Sequence, residues 1–363
     1  MTGLDQLGIP VWTAFRPNAQ SISVTQGKGI DDNAAMASAL FEAVELAIAE
    51  RPHPLAVVAT RAELAAAGEP VLQTRRFVRK GAREAADNEP LRWVEGIDII
   101  SGGPIFVPEE IVGMADAADR RYWQRSDGLG AGSNLHEAAI HATCELIERD
   151  AMGLWSFRGD SEIEAREVAP ADLRSPLIDS LESRLAAAGQ RLRLFDITSD
   201  IEVPSFLALL MPAGAETAMG YLDLAGGSAS HPVPLRAALG AIAEAAQTRL
   251  TTIAGSRDDL HPEEYGRALP LDLAAYARPS SAGTHRFGPV AGEEAPADLP
   301  GRLDWLVDRL RARGIRTLAM VPLEAPDFPF HVVRMVAPEL EQDPRSRMLD
   351  LGGRALSAML RQK

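Results

Sequence analysis

Short apolar runs of strand length alternate along the chain with longer stretches whose apolar residues recur every three or four positions. This is the pattern of an α/β or α+β architecture. The runs predict strands at Val11–Phe15, Ser21–Thr25, Leu55–Ala59, Gly96–Ser101, Ile105–Pro108, Arg191–Ile197, Val203–Leu210, Met219–Leu224, Arg316–Val321 and His331–Val336. The helical period predicts Asp32–Arg51, Asn134–Met152, Pro170–Ala188, Pro234–Thr252, Pro300–Arg313 and Arg354–Leu360. No long linker divides the series, so a single domain over residues 1–363 is expected. One extended irregular stretch, Gly255–Leu299, interrupts it. A surface lid, a substrate arm and a tolerated insertion all fit a loop of that size.

Three of the predicted helices lead from small residues into a polar residue followed three places on by another: Glu42 and Glu45, Glu145 and Glu148, Glu244 and Gln247. The leading acids stand 103 and 99 positions apart. A chain of three related α/β units gives such a spacing, and so do Ala-rich helices that carry Glu pairs by chance.

Composition narrows the partners. With 46% hydrophobic residues the chain has the means to bury a core, and 37 Lys and Arg against 51 Asp and Glu leave a net charge of −14. Such a surface repels polyanions, so nucleic acid is not an expected partner. The one cysteine, Cys144, excludes an intrachain disulfide and a Cys-rich zinc site. Seven histidines are scattered without metal-ligand spacing. The first residues, Met1 to Gln6, lack the basic end and apolar run of a secretory signal. No stretch approaches the roughly 18 apolar residues of a membrane span. A cytoplasmic protein with no membrane partner is expected.

Candidate chemistry is densest from Arg125 to Ala151. Gly128, Gly130 and Gly132 precede a helix whose expected N-cap is Asn134, with Glu137 three residues on as in a capping box. A Gly-rich turn ahead of a helix N-terminus is either an anion site or simply a well-capped turn. Its spacing is neither that of a Walker A loop nor of the dinucleotide fingerprint. At about 100° per residue, Glu137, His141, Glu145 and Glu148 share one narrow stripe. Arg149 falls at about 120°, off that stripe, and no Lys relieves the acids. Uncompensated carboxylates on a helix otherwise made of core residues point to Mg²⁺, which joins carboxylates to substrate phosphates. An acidic solvated face is the alternative.

Cations for a phosphate are present as well. Lys28 stands between Gly27 and Gly29 just after a predicted strand, where its amine is a point charge for a phosphate, and Arg16 ends the strand before it. Arg249 lies about 200° round from Gln247 and joins them only if its helix faces more than one partner. Cys144, at about 340°, points among apolar neighbours and reads as a small buried hydrophobe. His141 is a proton shuttle or a structural histidine. No residue stands out as a general base.

At these residues the sequence resembles the YcaO family, ATP-using enzymes that modify peptide backbone amides. The likeness is carried by Ser126-Asp127-Gly128-Leu129-Gly130-Ala131-Gly132, then Glu137-Ala138 and Cys144 through Ala151. Gly27-Lys28-Gly29, Glu42-x-x-Glu45 and Glu244-x-x-Gln247-x-Arg249 appear in the family's order, and the likeness runs from about Arg16 to Arg334. It implies mixed sheets with packed helices and the cofactors ATP and Mg²⁺. Glu42, Glu45, Glu145 and Glu148 look like the family's Mg²⁺-binding carboxylates. Glu137 then lies close to metal or nucleotide, and Arg16, Lys28, Ser133, Arg149, Glu244, Gln247 and Arg249 look like groups around the nucleotide. Asn is more usual where Ser133 stands, so that contact falls to Ser133 or to Asn134.

The stretch Leu250 to Asp259 is similar to the branch that works with TfuA-type partners, linked to backbone thioamide formation. The resemblance implies a precursor peptide as substrate, a TfuA-like partner protein and a homodimer. Its implied chemistry is addition of sulfur to an amide carbon and attack of the resulting oxyanion on the γ-phosphate of ATP. Members that make azolines tend to finish in a proline-rich tail, whereas this chain finishes Leu360-Arg361-Gln362-Lys363. The alternatives are an azoline-forming cyclodehydratase and a non-catalytic adaptor that binds nucleotide or leader peptide.

Overall fold

The computed structural model describes residues 1–114, 120–123, 125–214, 220–255, 261–268, 273, 276, 295–323, 329–342 and 349–361. In chain order they form β1 (Val11–Phe15), β2 (Val24–Lys28), α1 (Asp32–Ala49), β3 (Val57–Thr60), α2 (Arg61–Ala66), β4 (Pro90–Asp98), β5 (Gly103–Pro108), α3 (Glu109–Val112), β6 (Leu129–Gly132) and α4 (Leu135–Trp155). There follow α5 (Asp160–Glu164), β7 (Glu167–Val168), α6 (Pro176–Ala187), β8 (Gln190–Asp196), β9 (Ser205–Pro212), β10 (Ala225–Ser230) and α7 (Pro234–Ala254). The last are α8 (Leu299–Ala312), β11 (Ala319–Leu323), β12 (His331–Val336) and α9 (Gly353–Arg361). Three sheets with packed helices result, the α/β class expected, and the strand pairs within them are antiparallel.

The chain divides into two compact units, one of Met1–Arg16, Ile22–Leu40 and Arg158–Glu294, the other of Pro17–Ser21, Phe41–Phe157 and Ala295–Lys363. In the first, β10-β9-β8-β7 make a sheet and β1 pairs with β2. Helix α7 packs on β9 and β10 and touches β1 and β2. Its buried face is nearly all alanine, Ala237, Ala238, Ala241, Ala245 and Ala246, and closes a core with Leu194, Phe206 and Leu210 of the sheet. Side chains that small let helix and sheet backbones approach closely.

In the second unit the strand order is β3-β4-β11-β12-β6, with β5 also on β4. Its core joins Val94, Val107, Val321, Val332 and Leu129 of the sheet to Leu46 and Ile48 of α1. Each such side chain stabilises by about 1.5–3 kcal/mol when fully buried. Helix α4 lies on β6 and β12 and against α8. Near its C-terminal end Asp150, fully buried, receives a fork from Arg354 of α9, Nε to Oδ1 at 2.7 Å and Nη2 to Oδ2 at 2.8 Å.

Two expectations are corrected. The glycine stretch after Asp127 is not a turn: Leu129–Gly132 is a strand paired with His331–Arg334. A Cβ at Gly130 would lie 2.5 Å from the Ala138 carbonyl oxygen, and one at Gly132 would lie 2.6 Å from the Ala138 nitrogen. Those glycines therefore let the strand pack closely against α4. The strand expected at Met219–Leu224 is also displaced. Tyr221–Asp223 is a 3₁₀ turn and the strand is Ala225–Ser230, Ala-Gly-Gly-Ser-Ala-Ser, whose lack of bulk hid it from an apolar-run reading. Met219, most of 255–299, and Ser256–Asp259 lie outside the described residues.

The spacing of 103 has a structural counterpart. Gly27 lies flush against Ala35 and Ala39 as Gly130 does against Ala138 and Ala142, and Gly29 against Ala35 as Gly132 against Ala138. Each correspondence is a shift of 103 positions, and it carries Glu42 and Glu45 onto Glu145 and Glu148. At the third junction Gly227 meets Ala241 and Ala245. In that frame Thr248 and Thr251 stand where the other helices place their acids, so Glu244 sits about one turn nearer the helix start.

Candidate functional site

Edge strand β6 organises the acids of the second unit. Its pairing with β12 uses one side, which leaves outward N–H groups that must find acceptors. The Ala131 N–H donates to Glu45 Oε1 at 2.6 Å, and the Gly128 N–H to Glu145 Oε2 at 2.9 Å. Gly128 has φ +81°, a left-handed conformation that glycine adopts readily. Carboxylates from α1 and α4 thus meet along one strand edge. Glu45 and Glu148 are buried, Glu145 is half-buried and Glu42 exposed.

Electrostatics mark the same group. Burial pushes Glu45 up to about 8; the Ala131 N–H opposes this, neighbouring Glu42 adds to it and Arg334 offsets it. Burial likewise raises Glu145 to about 8, with Asp127, Glu148 and Glu45 adding to the rise and Arg149 opposing it. Arg149 does relieve the stripe, contrary to its position on the wheel. Its guanidinium lies 2.9 Å from Asp127, 3.3 Å from Glu148 and 3.6 Å from Glu145. A wheel angle places the Cβ, whereas the long arginine stem bends back to the carboxylates.

At the N-terminal end of α4, Asn134 is the N-cap as expected, accepting the Glu137 N–H at 3.0 Å. The Glu137 carboxylate turns instead to Ser133, receiving its N–H at 2.8 Å and its hydroxyl at 2.5 Å. Ser133, Asn134 and Glu137 form one small exposed network on the helix that carries the acids. His141 is exposed on that helix. Cys144 is buried, and burial pushes its thiol up to about 12, as suits a small hydrophobe packed among apolar neighbours.

The first unit carries five further candidates. Lys28 Nζ, at the end of β2, lies 3.0 Å from Glu244 Oε2 of α7. Gln247 Nε2 donates to the Gln26 carbonyl at 3.1 Å, fixing the helix to the strand that ends in Lys28. Arg249 turns to Asp5 at 3.4 Å, on the other side of α7. Arg16 donates through Nη2 to the Ile22 carbonyl at 2.6 Å.

Two residues of the acid group escaped the sequence reading as individual candidates. Asp127 stands inside the glycine-rich motif with no helical period to mark it, yet its carboxylate ties Arg149 and, at 2.8 Å, Arg125. Arg334 had a visible signal: it is the one charged residue in the buried run Val332–Val336. A small cleft lies beside them, lined by Trp123, Arg125, Asp127, Leu146, Arg149 and Arg334 among others.

The donor set suits a hard divalent cation in kind: oxygen ligands on Glu42, Glu45, Glu145 and Glu148, two of them desolvated carboxyls that a cation would draw into the ionised form. Among the described residues no group of three or more His, Cys, Asp or Glu side chains stands as a ready cage. Mg²⁺ does not require one, since it keeps waters and binds through one or two carboxylates plus phosphate oxygens. No helix of the described residues is long and apolar enough to cross a membrane.

Comparison with known proteins supplies the context. The family model described as YcaO cyclodehydratase, ATP- and Mg²⁺-binding, matches residues 26–341. An uncharacterised protein encoded in the tfuA 3′ region of Rhizobium leguminosarum bv. trifolii is 39% identical over 371 residues, covering 99% of this chain and 86% of its own. A heterocyclase solved with substrate and cofactor superposes with a TM-score of 0.76 at 18% identity over 92% of this chain, which spans 48% of that protein's length. YcaO from Methanopyrus kandleri, solved with AMPPCP and Mg²⁺, gives 0.68 at 20% identity, with 95% of this chain and 89% of that one covered.

Proposed function

The chain belongs to the YcaO family of ATP- and Mg²⁺-binding peptide-modifying enzymes, and on that premise we propose that it activates a backbone amide of a ribosomally made peptide for conversion to a thioamide. The observation that carries the sulfur reading is the 39%-identical relative encoded beside tfuA. A precursor peptide is then the substrate, a TfuA-like protein the partner that delivers sulfur, and a homodimer the working form. The cytoplasm, where ATP and reduced sulfur are both at hand, is its place.

An amide carbon is a weak electrophile and its oxygen a poor leaving group. In the proposed sequence a sulfur nucleophile adds to the carbon and the C=O pair moves to oxygen. That oxyanion attacks the γ-phosphorus and ADP departs. The S–H proton is lost to water, and collapse of the tetrahedral centre expels inorganic phosphate and forms C=S. Phosphoryl transfer of this kind is positioning plus charge stabilisation. Glu42, Glu45, Glu145 and Glu148 would hold Mg²⁺, which when bound would neutralise charge on the phosphates. Arg149 and Lys28 add point charges, and Arg16, Ser133, Asn134, Glu137, Glu244, Gln247 and Arg249 are assigned to nucleotide contacts.

The test is mass spectrometry of a precursor peptide incubated with the protein, ATP, Mg²⁺, a TfuA-like partner and sulfide. Exchange of one oxygen for sulfur supports the reading. Loss of one water from a Cys, Ser or Thr site would instead establish an azoline-forming cyclodehydratase, which the family description and the heterocyclase likeness favour. Nucleotide binding with no peptide-stimulated hydrolysis would leave an adaptor.

A further inference from the structure

We infer that Arg334 is a positioning residue for the acid group: from β12 it pins the Arg125–Asp127 segment, through which the orientation of both Glu145 and Arg149 is set. The inference rests on the reading that Glu145 and Arg149 serve ATP and Mg²⁺. The guanidinium donates through Nε to the Val112 carbonyl at 3.0 Å, and through Nη1 to the carbonyls of Arg125 at 2.9 Å and Asp127 at 2.8 Å. Two of these three acceptors belong to the segment that leads into β6. One residue beyond it, Gly128 donates its N–H to Glu145, and its carbonyl accepts from Met335 N–H at 2.7 Å. The Asp127 side chain, held by the same anchored backbone, receives Arg149 Nε. A single side chain therefore lies one bonded step from a metal-site carboxylate and from the arginine beside it.

Packing alone does not explain an arginine here. Arg334 is only 3% exposed in a run of Val332, Val333, Met335 and Val336, where an aliphatic residue would avoid the desolvation of a charge. Desolvation pulls the guanidinium down to about 10, and Glu145, Asp127 and Glu45 hold it up, so it stays charged at neutral pH. Its Nη2 is buried without a hydrogen-bond partner, so the segment does not saturate the group. The planar fork reaches carbonyls on different sides; a lysine ammonium, one nitrogen on a flexible stem, does not reproduce that span.

The experiment uses the full chain with Arg334→Lys, and Asp127→Asn as a second variant that weakens the ties of the same segment to Arg125 and Arg149 while keeping the Arg334 side chain. Thermal unfolding checks the fold, hydrogen exchange reports on residues 125–129, and ATP turnover is followed against Mg²⁺ and ATP. Expected for Arg334→Lys is a folded protein with faster exchange at 125–129, kcat lower by about tenfold or more, and half-saturating Mg²⁺ raised severalfold, as small misplacements of reacting groups produce. Should Arg334→Lys not fold, the same kcat and Mg²⁺ changes are required of Asp127→Asn. Wild-type kcat and Mg²⁺ dependence in either folded variant, alongside an inactive Glu145→Gln, overturns the positioning role alone. Full activity of Glu145→Gln removes both this role and the reading beneath it.

Discussion

The backbone N–H of Ala131 meets the Glu45 carboxylate at 2.6 Å across 86 residues of sequence. A strand edge left open by its own sheet is closed by a side chain from a distant helix, and the same edge fixes Glu145 through Gly128. Glu45 and Glu145, from two different helices, are thus both placed by backbone N–H groups of one segment.

Glu145→Gln should lower peptide-stimulated ATP turnover by about 100-fold or more, measured as phosphate release. Its thermal unfolding at neutral pH should stay close to wild type. With the carboxyl pushed up to about 8, the group is mostly neutral before metal arrives, and Gln is its isostere.

Glu45 and Glu145 also set a pH dependence. In the unfolded chain both titrate near 4.5, in the folded one near 8. Below 4.5 both states are protonated and the contribution is full. Between 4.5 and 8 only the folded state keeps its protons, so stability falls as pH rises through this window and the loss is complete above it. Without metal the unfolding midpoint should fall from pH 5 to pH 8. Affinity for Mg²⁺ with a nonhydrolysable ATP analogue should rise over the same interval with release of protons, detectable by calorimetry in buffers of different ionisation enthalpy.

Gly130→Ala should destabilise by about 1–3 kcal/mol, since the new methyl cannot be housed without moving α4 from its strand. Gly266→Ala, with open space around it, should stay within about 0.5 kcal/mol. Denaturant titration of the two variants checks the contrast.

Lys28→Met removes a half-exposed ion pair with Glu244 and should cost no more than about 1 kcal/mol of stability. If Lys28 serves the phosphates, KM for ATP should rise about tenfold while the unfolding curve barely shifts. An unchanged KM would leave Lys28 a structural partner of α7.

The strongly periodic helices were legible in the sequence: α1, α4, α7 and α8 fall within a few residues of their expected ends, and Asn134 caps as its spacing foretold. The four acids were legible as two pairs because each has the same three-residue spacing on a helix of small residues. Less visible were strands made of small residues, β6 and β10, since their reason for being small is the helix lying on them. Arg149 was misjudged because angular position says nothing of side-chain reach. Arg334 and Asp127 act through carbonyls and partners far away in sequence, and no local period encodes those.

Asp150 has a further consequence. Glu148, Arg149 and Asp150 are consecutive, and the last is gripped by Arg354. A protein trimmed ahead of Arg354 would leave the buried Asp150 carboxylate with the Glu341 N–H but without its guanidinium, a loss of up to about 3–5 kcal/mol for a buried pair broken on one side. Damage near the tail would surface in the very turn that bears Glu148 and Arg149.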